Sequence, residues 1–356
     1  MISKAISRTV CHAIFCTFLF SAGCLPAQTP DTHTNAPAGG PFRLPTANAN
    51  IYERGGEPKF FAPTAPDKPW TSGSFGCVRN DGWRLHEGID ILHLQTDRRG
   101  EPTDPVMATA DGTVVYFNTH PSLSNYGIYI VLRHNIDGLE LYSIYAHLSA
   151  IRPGLKTGDS VKAGDVLGTM GRTSNAETIL KERAHLHFEL NLLNNDNFAA
   201  WFHKASPGER NDHGSWNGQN LIGLDPREIL LQEHNPAANF NLLSFIHNQT
   251  DLCRVLVRAT NFPFLRRYSM LVVKNPTAEK EGVAGYEIAF NYNGLPFVLM
   301  PRAASEIHGT ARIQLLSVNE SEQKANPCRR FVVKRGSRWE LANDGLRAVE
   351  LLTYQP

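Results

Sequence analysis

The run Ala184 to Leu190 constrains this chain more than any other, because His185, His187 and Glu189 alternate in it with Leu186, Phe188 and Leu190. Side chains at i and i+2 of a strand share a face. The pattern therefore predicts a strand with two imidazoles and a carboxylate on one face and Leu186, Phe188 and Leu190 in a core. Upstream, His86-Glu87-Gly88-Ile89-Asp90 sets an imidazole and a carboxylate four residues apart. Between them the two patterns supply three protein ligands of the type zinc prefers and leave a fourth position for water, which separates a catalytic site from a closed structural one. With 14 histidines in the chain, either pattern alone is weak. The two together, with a further histidine in Tyr145-Ala146-His147-Leu148, are much more specific.

The surrounding text predicts a mainly β fold. Thr113–Phe117, Ile128–Arg133 and Leu139–Tyr145 are rich in β-branched and aromatic residues and bounded by turn residues. Asp137-Gly138 between two of them is a hairpin signal. Gly158, Gly164, Gly168 and Gly171 at short spacing suit a tightly turning antiparallel sheet. Residues 51–235 are expected to form this antiparallel core with loop insertions. Residues 236–356 are expected to form a second small β-rich domain, with strands near Arg254–Val257, Met270–Val273 and Glu287–Phe290. Residues 25–50, rich in Ala, Pro, Thr, Asn and Gly, read as a flexible tether.

Composition narrows the functional classes. With 35 basic and 34 acidic residues the chain carries a formal charge of +1, which argues against a nucleic-acid partner. Residues 1–24 read as a signal peptide: Lys4 and Arg8 precede the apolar run Thr9 to Ala22, and small residues lead into Cys24. The chain is thus expected to be exported to a periplasmic, outer-membrane-anchored or secreted location. Cleavage before Cys24 would leave a lipid-modified first residue, the one membrane attachment besides the signal; cleavage near Ala27 would not. Bacterial lipoprotein signals usually carry Leu where Ser21 stands. The mature chain keeps Cys77, Cys253 and Cys328, for which a Cys253–Cys328 disulfide with Cys77 left over is the expected pairing.

From Ser72 to about Leu230 the chain resembles the lysostaphin-type (LytM-like) zinc metallopeptidases. The likeness rests on motifs in one order: Ser74-Phe75-Gly76-Cys77-Val78-Arg79, His86-Glu87-Gly88-Ile89-Asp90-Ile91, Pro105-Val106 through Asp111-Gly112-Thr113-Val114-Val115, and Tyr126 through Arg133-His134. Tyr145-Ala146-His147-Leu148-Ser149, Gly158 through Gly164, Gly168-Thr169-Met170-Gly171 and His185-Leu186-His187-Phe188-Glu189 complete it. The resemblance implies one Zn2+ per chain held by His86, Asp90 and His187, with His147 and His185 as the catalytic histidines. It implies hydrolysis of stem-peptide or cross-link bonds of bacterial peptidoglycan. Degenerate, wall-binding or regulatory members of such a family lack one or more of these groups, and all five are present here.

Weaker expectations attach to Glu189, as a group orienting a ring N–H, and to Tyr126, as a substrate contact or a plain strand-edge aromatic. The chain departs from the family pattern in three insertions: Gln95 to Thr103, Thr173 to Arg183, and Asn191 to Gly223 with Trp201, His203 and Trp216. These are expected to flank the groove. His93, His120, His134, His203 and His213 are expected to be loop residues rather than ligands. Lys162, inside a Gly-Asp-Ser-Val-Lys turn like those of lipoyl and biotinyl carriers, is expected to be structural.

Overall fold

The structure, a computed structural model, describes residues 40–176 and 178–356. The expected signal, the Cys24 attachment point and Glu177 lie outside these residues.

The strands of the first half begin with a hairpin, β1 (Gly76–Arg79) and β2 (Arg84–His86), followed by β3 (Ile89–Leu92) and β4 (Pro105–Met107). Then come β5 (Gly112–Asn118), β6 (Ile128–Ile136), β7 (Leu139–Leu148), β8 (Ala150–Ile151), β9 (Ser160–Val161) and β10 (Val166–Thr169). β11 (His185–Leu193) and β12 (Leu221–Leu224) close this half. The main sheet runs β12-β11-β7-β6-β5-β9, with β3 pairing β11 beside β12. Every pairing in it is antiparallel. The predicted turn Asp137-Gly138 joins β6 to β7 with φ of 52° and 83°, the two positive values a tight two-residue hairpin needs.

β11 is the strand the alternation predicts, with one difference. Leu186, Phe188 and Leu190 enter the core, but the His185–His187–Glu189 face is buried as well. The polar face is therefore the floor of a site roofed by other elements.

Residues 236–356 contain β13 (Cys253–Val257), β14 (Gly285–Phe290), β15 (Pro296–Arg302) and β16 (Ile313–Val318) in an antiparallel sheet ordered β15-β14-β13-β16. A hairpin β17 (Val332–Arg335) and β18 (Arg338–Leu341) and a helix Asn343–Thr353 follow. Its core is continuous with that of the first half: Leu190, Ile229, Leu252, Phe264 and Leu299 belong to one hydrophobic cluster. Tyr268 Oη accepts the backbone N–H of Leu193 at 2.8 Å.

Three expectations need correcting. Met270–Val273 does not form a strand: a 3-10 turn spans Ser269–Leu271 and only Val272 bridges to Leu299. It is confined between the helices Pro263–Arg267 and Pro276–Glu281, and burying Leu271 holds it in a turn. Second, residues 42–48 are packed against the fold rather than forming a flexible tether. Phe42 joins the core, the Arg43 N–H donates to Thr109 O, and Asn48 Nδ2 donates to Leu92 O at 3.0 Å. Third, the disulfide joins Cys77 to Cys328, not Cys253 to Cys328. Cys253 sits in β13 with 1% exposure, and burial pushes its thiol up to about 12. A side chain enclosed in a sheet core cannot reach a surface partner, whereas Cys77 lies on a peripheral hairpin.

Candidate metal centre and hydrolytic site

Strand register assembles the site. β3 and β11 run antiparallel with Asp90 opposite His187, which brings residues 97 apart in sequence into contact. β1 pairs β2 with Gly76 opposite His86, placing that imidazole beside Asp90. On the other side of β11, Ala146 of β7 stands opposite His187, so His147 arrives next to it. The turn inside His86-Glu87-Gly88-Ile89-Asp90 depends on Gly88, where an added Cβ would fall 2.4 Å from Phe188 O. His147 adopts φ +61°, a backbone conformation rare for a residue with a side chain and typical of functional positions.

His86, Asp90 and His187, all buried, form a group that can hold a metal ion. His86 Nε2, His187 Nδ1 and Asp90 Oδ1 lie 3.0–3.2 Å from one another. Tetrahedral zinc with bonds of about 2.0–2.2 Å needs ligand atoms about 3.3–3.6 Å apart, so the donor set fits and its spacing is a few tenths of an ångström tighter than the ion would set.

Backbone and carboxylate partners orient the rings. His86, His147 and His185 donate Nδ1–H to the carbonyls of Ser74 (2.7 Å), Thr173 (2.8 Å) and Arg183 (2.7 Å). Each therefore carries its lone pair on Nε2. His187 is turned the other way: Nε2–H donates to Glu189 Oε1 at 2.7 Å and Nδ1 faces Asp90. Glu189 is itself held, accepting from Tyr126 Oη at 2.7 Å and from Asn191 Nδ2 at 2.9 Å. Such outer partners fix tautomer and ring orientation at metal-binding histidines.

The charges are consistent with this. Burial alone would raise Asp90, but His86, His185 and Arg79 hold its carboxyl well below the usual range. Burial lowers His147 to about 3, helped by the neighbouring His185 and His187, and lowers His185 too. Both rings are thus neutral near pH 7, with Nε2 free to take a proton. His147 and His185 stand with ring centroids 5.0 Å apart. For His187 burial acts downward, yet its hydrogen bonds to Asp90 and Glu189 carry it up to about 10. Tyr126, buried and facing Glu189, is raised well above 10 and remains a donor.

All seven residues singled out from sequence, His86, Asp90, Tyr126, His147, His185, His187 and Glu189, are brought together here. Tyr126 touches the protein's own Glu189 rather than standing free at a strand edge. His134 lies within β6 and His203 within the helix Phe198–Ala205 rather than in loops; His93 and His134 bond backbone carbonyls away from the metal group, and His213 is held by Tyr116 Oη and Leu123 O at the groove wall. Exposed Lys162 pairs with Asp111 at 2.7 Å. The sequence reading missed Arg79, whose guanidinium contacts both Asp90 Oδ2 and His86 Nε2. Its signal was Asn80-Asp81-Gly82, three successive positive-φ residues that fold β1 back onto β2 and so set Arg79 near His86.

Residues 84–199 match Peptidase family M23. No curated protein matches the chain. Among solved structures, similarity extends to the catalytic domain of the antimicrobial peptidase lysostaphin from Staphylococcus simulans (24% identity, 45% of this chain, 87% of that one, TM-score 0.28). A protein described as a glycyl-glycine endopeptidase LytM from Ruminococcus gnavus is 34% identical over 30% of this chain and 39% of its own, with TM-score 0.24. A zinc-containing peptidase from Vibrio cholerae is 25% identical over 43% of this chain and 37% of its own, with TM-score 0.28.

Proposed function

Starting from a chain whose residues 84–199 are a peptidase family M23 domain, we propose that it is a zinc-dependent endopeptidase cutting the peptide part of bacterial peptidoglycan. The observation that carries this is the triangle of His86 Nε2, Asp90 Oδ1 and His187 Nδ1, at 3.0–3.2 Å spacing, beside two neutral histidines. Zinc bound by that triangle supplies Lewis acidity, polarising the scissile carbonyl and lowering the pKa of water.

The chain's own groups do the rest. With Nδ1–H tied to a carbonyl, His147 and His185 each present Nε2 to the centre. One takes the proton of the attacking water at its Nε2; the other, neutral at rest, must itself bind a proton at Nε2 before it donates to the developing oxyanion or the leaving amine. Asp90 and Glu189 on either side of His187 hold its Nδ1 toward the triangle. Export through the N-terminal signal, with or without a lipid at Cys24, would deliver the enzyme to its substrate.

Purified protein should contain about one zinc per chain and release new amino termini from peptidoglycan. His187→Ala should abolish both, and activity surviving it would overturn the metal assignment. His147→Ala should keep zinc and lose turnover; loss of zinc there would mean ligand and catalyst are exchanged. Wall binding with no amino termini released would favour a non-catalytic, wall-binding or regulatory role.

A further inference from the structure

A groove of about 1460 Å3 runs over the metal group, and Asn293 and Cys328 of the C-terminal half line it along with Ser174, Asn175 and Arg183. The last three come from the stretch between β10 and β11, one of the insertions. That stretch also carries both carbonyls that orient the neutral histidines, Thr173 O for His147 and Arg183 O for His185. Whatever holds those carbonyls therefore sets the two rings.

Thr173 is held from within. Its Oγ1 donates to Leu148 O at 2.8 Å and accepts the Ile128 N–H at 2.9 Å. Its carbonyl lies against Gly127, where an added Cβ would fall 2.1 Å away. Arg183 is held differently. Its carbonyl shares one planar peptide unit with the N–H of Ala184, which donates to Lys181 O at 3.0 Å. The placement of Lys181 thus turns Arg183 O and, through it, the His185 ring. Lys181 Nζ is tied to Glu101 Oε1 at 3.1 Å and to Arg99 O at 2.7 Å. Two other tethers act nearby: Arg183 Nε donates to Pro63 O at 2.8 Å, and His93 Nδ1 bonds the next carbonyl, Ala184 O, at 2.9 Å.

Glu101 grips more than Lys181. Its two oxygens take the Arg172 fork, Nε at 2.8 Å and Nη2 at 3.0 Å, while Arg172 Nη1 donates to Ile179 O at 3.0 Å. One carboxylate thus ties down Arg172, the buried Ile179 and Lys181. Its own hairpin is well braced. Asp97 Oδ1 accepts the N–H groups of Arg99 and Glu101, and at the root the buried Asp104 carboxylate accepts those of Leu94 and Gln95. Arg172 and Lys181 hold the Glu101 carboxyl down at about 2, so it is charged at neutral pH. The three side chains of the clasp are 32–44% exposed, and ion pairs this open add little to global stability. What a bidentate Arg–carboxylate pair does supply is geometric definition.

We propose that Glu101 is a positioning residue for peptide hydrolysis at this site, an assignment that rests on the peptidase reading. Through Arg172 and Lys181 it aligns the Arg183–Ala184 peptide that fixes the His185 ring, whereas His147 is fixed independently through Thr173.

Glu101→Gln keeps the size of the side chain and removes its charge. In the full protein it should lower kcat on a cross-linked wall peptide about tenfold, the low end of losses at outer partners, with KM and zinc content within about twofold. The melting temperature should stay within about 2 °C. Lys181→Met should act the same way, and combining the two should cost little beyond either alone, since both break one route. Glu101→Asp, which keeps the charge, should lose less. NMR of the imidazole nitrogens, on metal-free as well as zinc-loaded protein, reads the rings directly. In Glu101→Gln the His185 Nδ1–H signal should broaden or mix with the other tautomer while that of His147 stays unchanged. An unaltered His185 signal, or equal disturbance of His147 and His185, overturns the positioning role. So does a kcat loss matched by lost zinc or a lowered melting temperature. If wild-type protein cleaves no wall peptide, the peptidase reading falls, and the His185 signal still decides whether Glu101 sets that ring.

Discussion

His187 is the one histidine of the site turned to face the centre through Nδ1, and Glu189 is the reason. Its carboxylate, 1% exposed, accepts Nε2–H and is braced by Tyr126 and Asn191. Replacing Glu189 by Gln keeps an acceptor oxygen but removes the charge, so zinc affinity should fall about tenfold or more, on the scale of outer-partner losses. Chelator competition would show this, and unchanged affinity would mean Glu189 is a bystander. Asp90 and Glu189 together raise the His187 pKa to about 10 in the metal-free protein, against the lowering effect of burial. Its contribution to stability is therefore fully present below about pH 6.5, the unfolded value, and is lost as pH rises through about 10. Zinc must displace that proton, so its affinity should drop about tenfold for each pH unit below about 10. His147, held near 3, stays neutral over the same range. Activity lost near pH 5.5 should thus follow metal loss and return with excess zinc. A fully metal-loaded protein that remains inactive there would point to protonation of a catalytic ring.

At the scale of elements, the site hangs on the turn between β2 and β3 pressing against β11. A Cβ at Gly88 would also lie 2.8 Å from Glu189 Cγ, so Gly88→Ala must push apart the strands that carry His86, Asp90 and His187. Overpacking of this kind costs about 1–3 kcal/mol. Here it should lower zinc affinity beyond its effect on melting, because the ligand triangle itself is spread; calorimetry and zinc titration on one sample separate the two. Near-wild-type zinc affinity would show that the turn relaxes locally. Most of this element-level arrangement was legible in the sequence. Period-two alternation marked β11, and Asp137-Gly138 marked the β6–β7 turn. Residues brought in by register or by side-chain-to-backbone bonds were not legible. Nothing in residues 40–50 announces that Asn48 will bond Leu92 O, and Ser74, Thr173 and Arg183 contribute carbonyls, which every residue type possesses. The cysteine pairing failed for a similar reason: three thiols permit three pairings, and only burial of Cys253 in β13 excludes it.

For the molecule as a whole, the question is how the C-terminal half stays against the groove. The Cys77–Cys328 bond closes a loop spanning 251 residues, a length at which cross-links commonly contribute about 2–5 kcal/mol by restricting the unfolded chain. Yet it is not the sole fastening. One hydrophobic cluster runs through both sheets, Asn195 Nδ2 donates to Leu351 O, and Leu193 N–H donates to Tyr268 Oη. Removing the disulfide with Cys77→Ser and Cys328→Ser should therefore lower the melting temperature while leaving a single cooperative transition, since neither sheet can lose the shared core alone. Two separated calorimetric transitions would show instead that residues 236–356 unfold as an independent domain. The local effect should differ from the global one. Zinc binding depends on β2, β3 and β11, none of which carries a cysteine of the disulfide, so it should persist at temperatures where the variant is folded. Peptide binding should weaken, because the bond ties the C-terminal residues of the groove wall to the β1–β2 hairpin. Loss of zinc along with peptide affinity would mean that the C-terminal half supports the metal group itself, not merely the wall beside it.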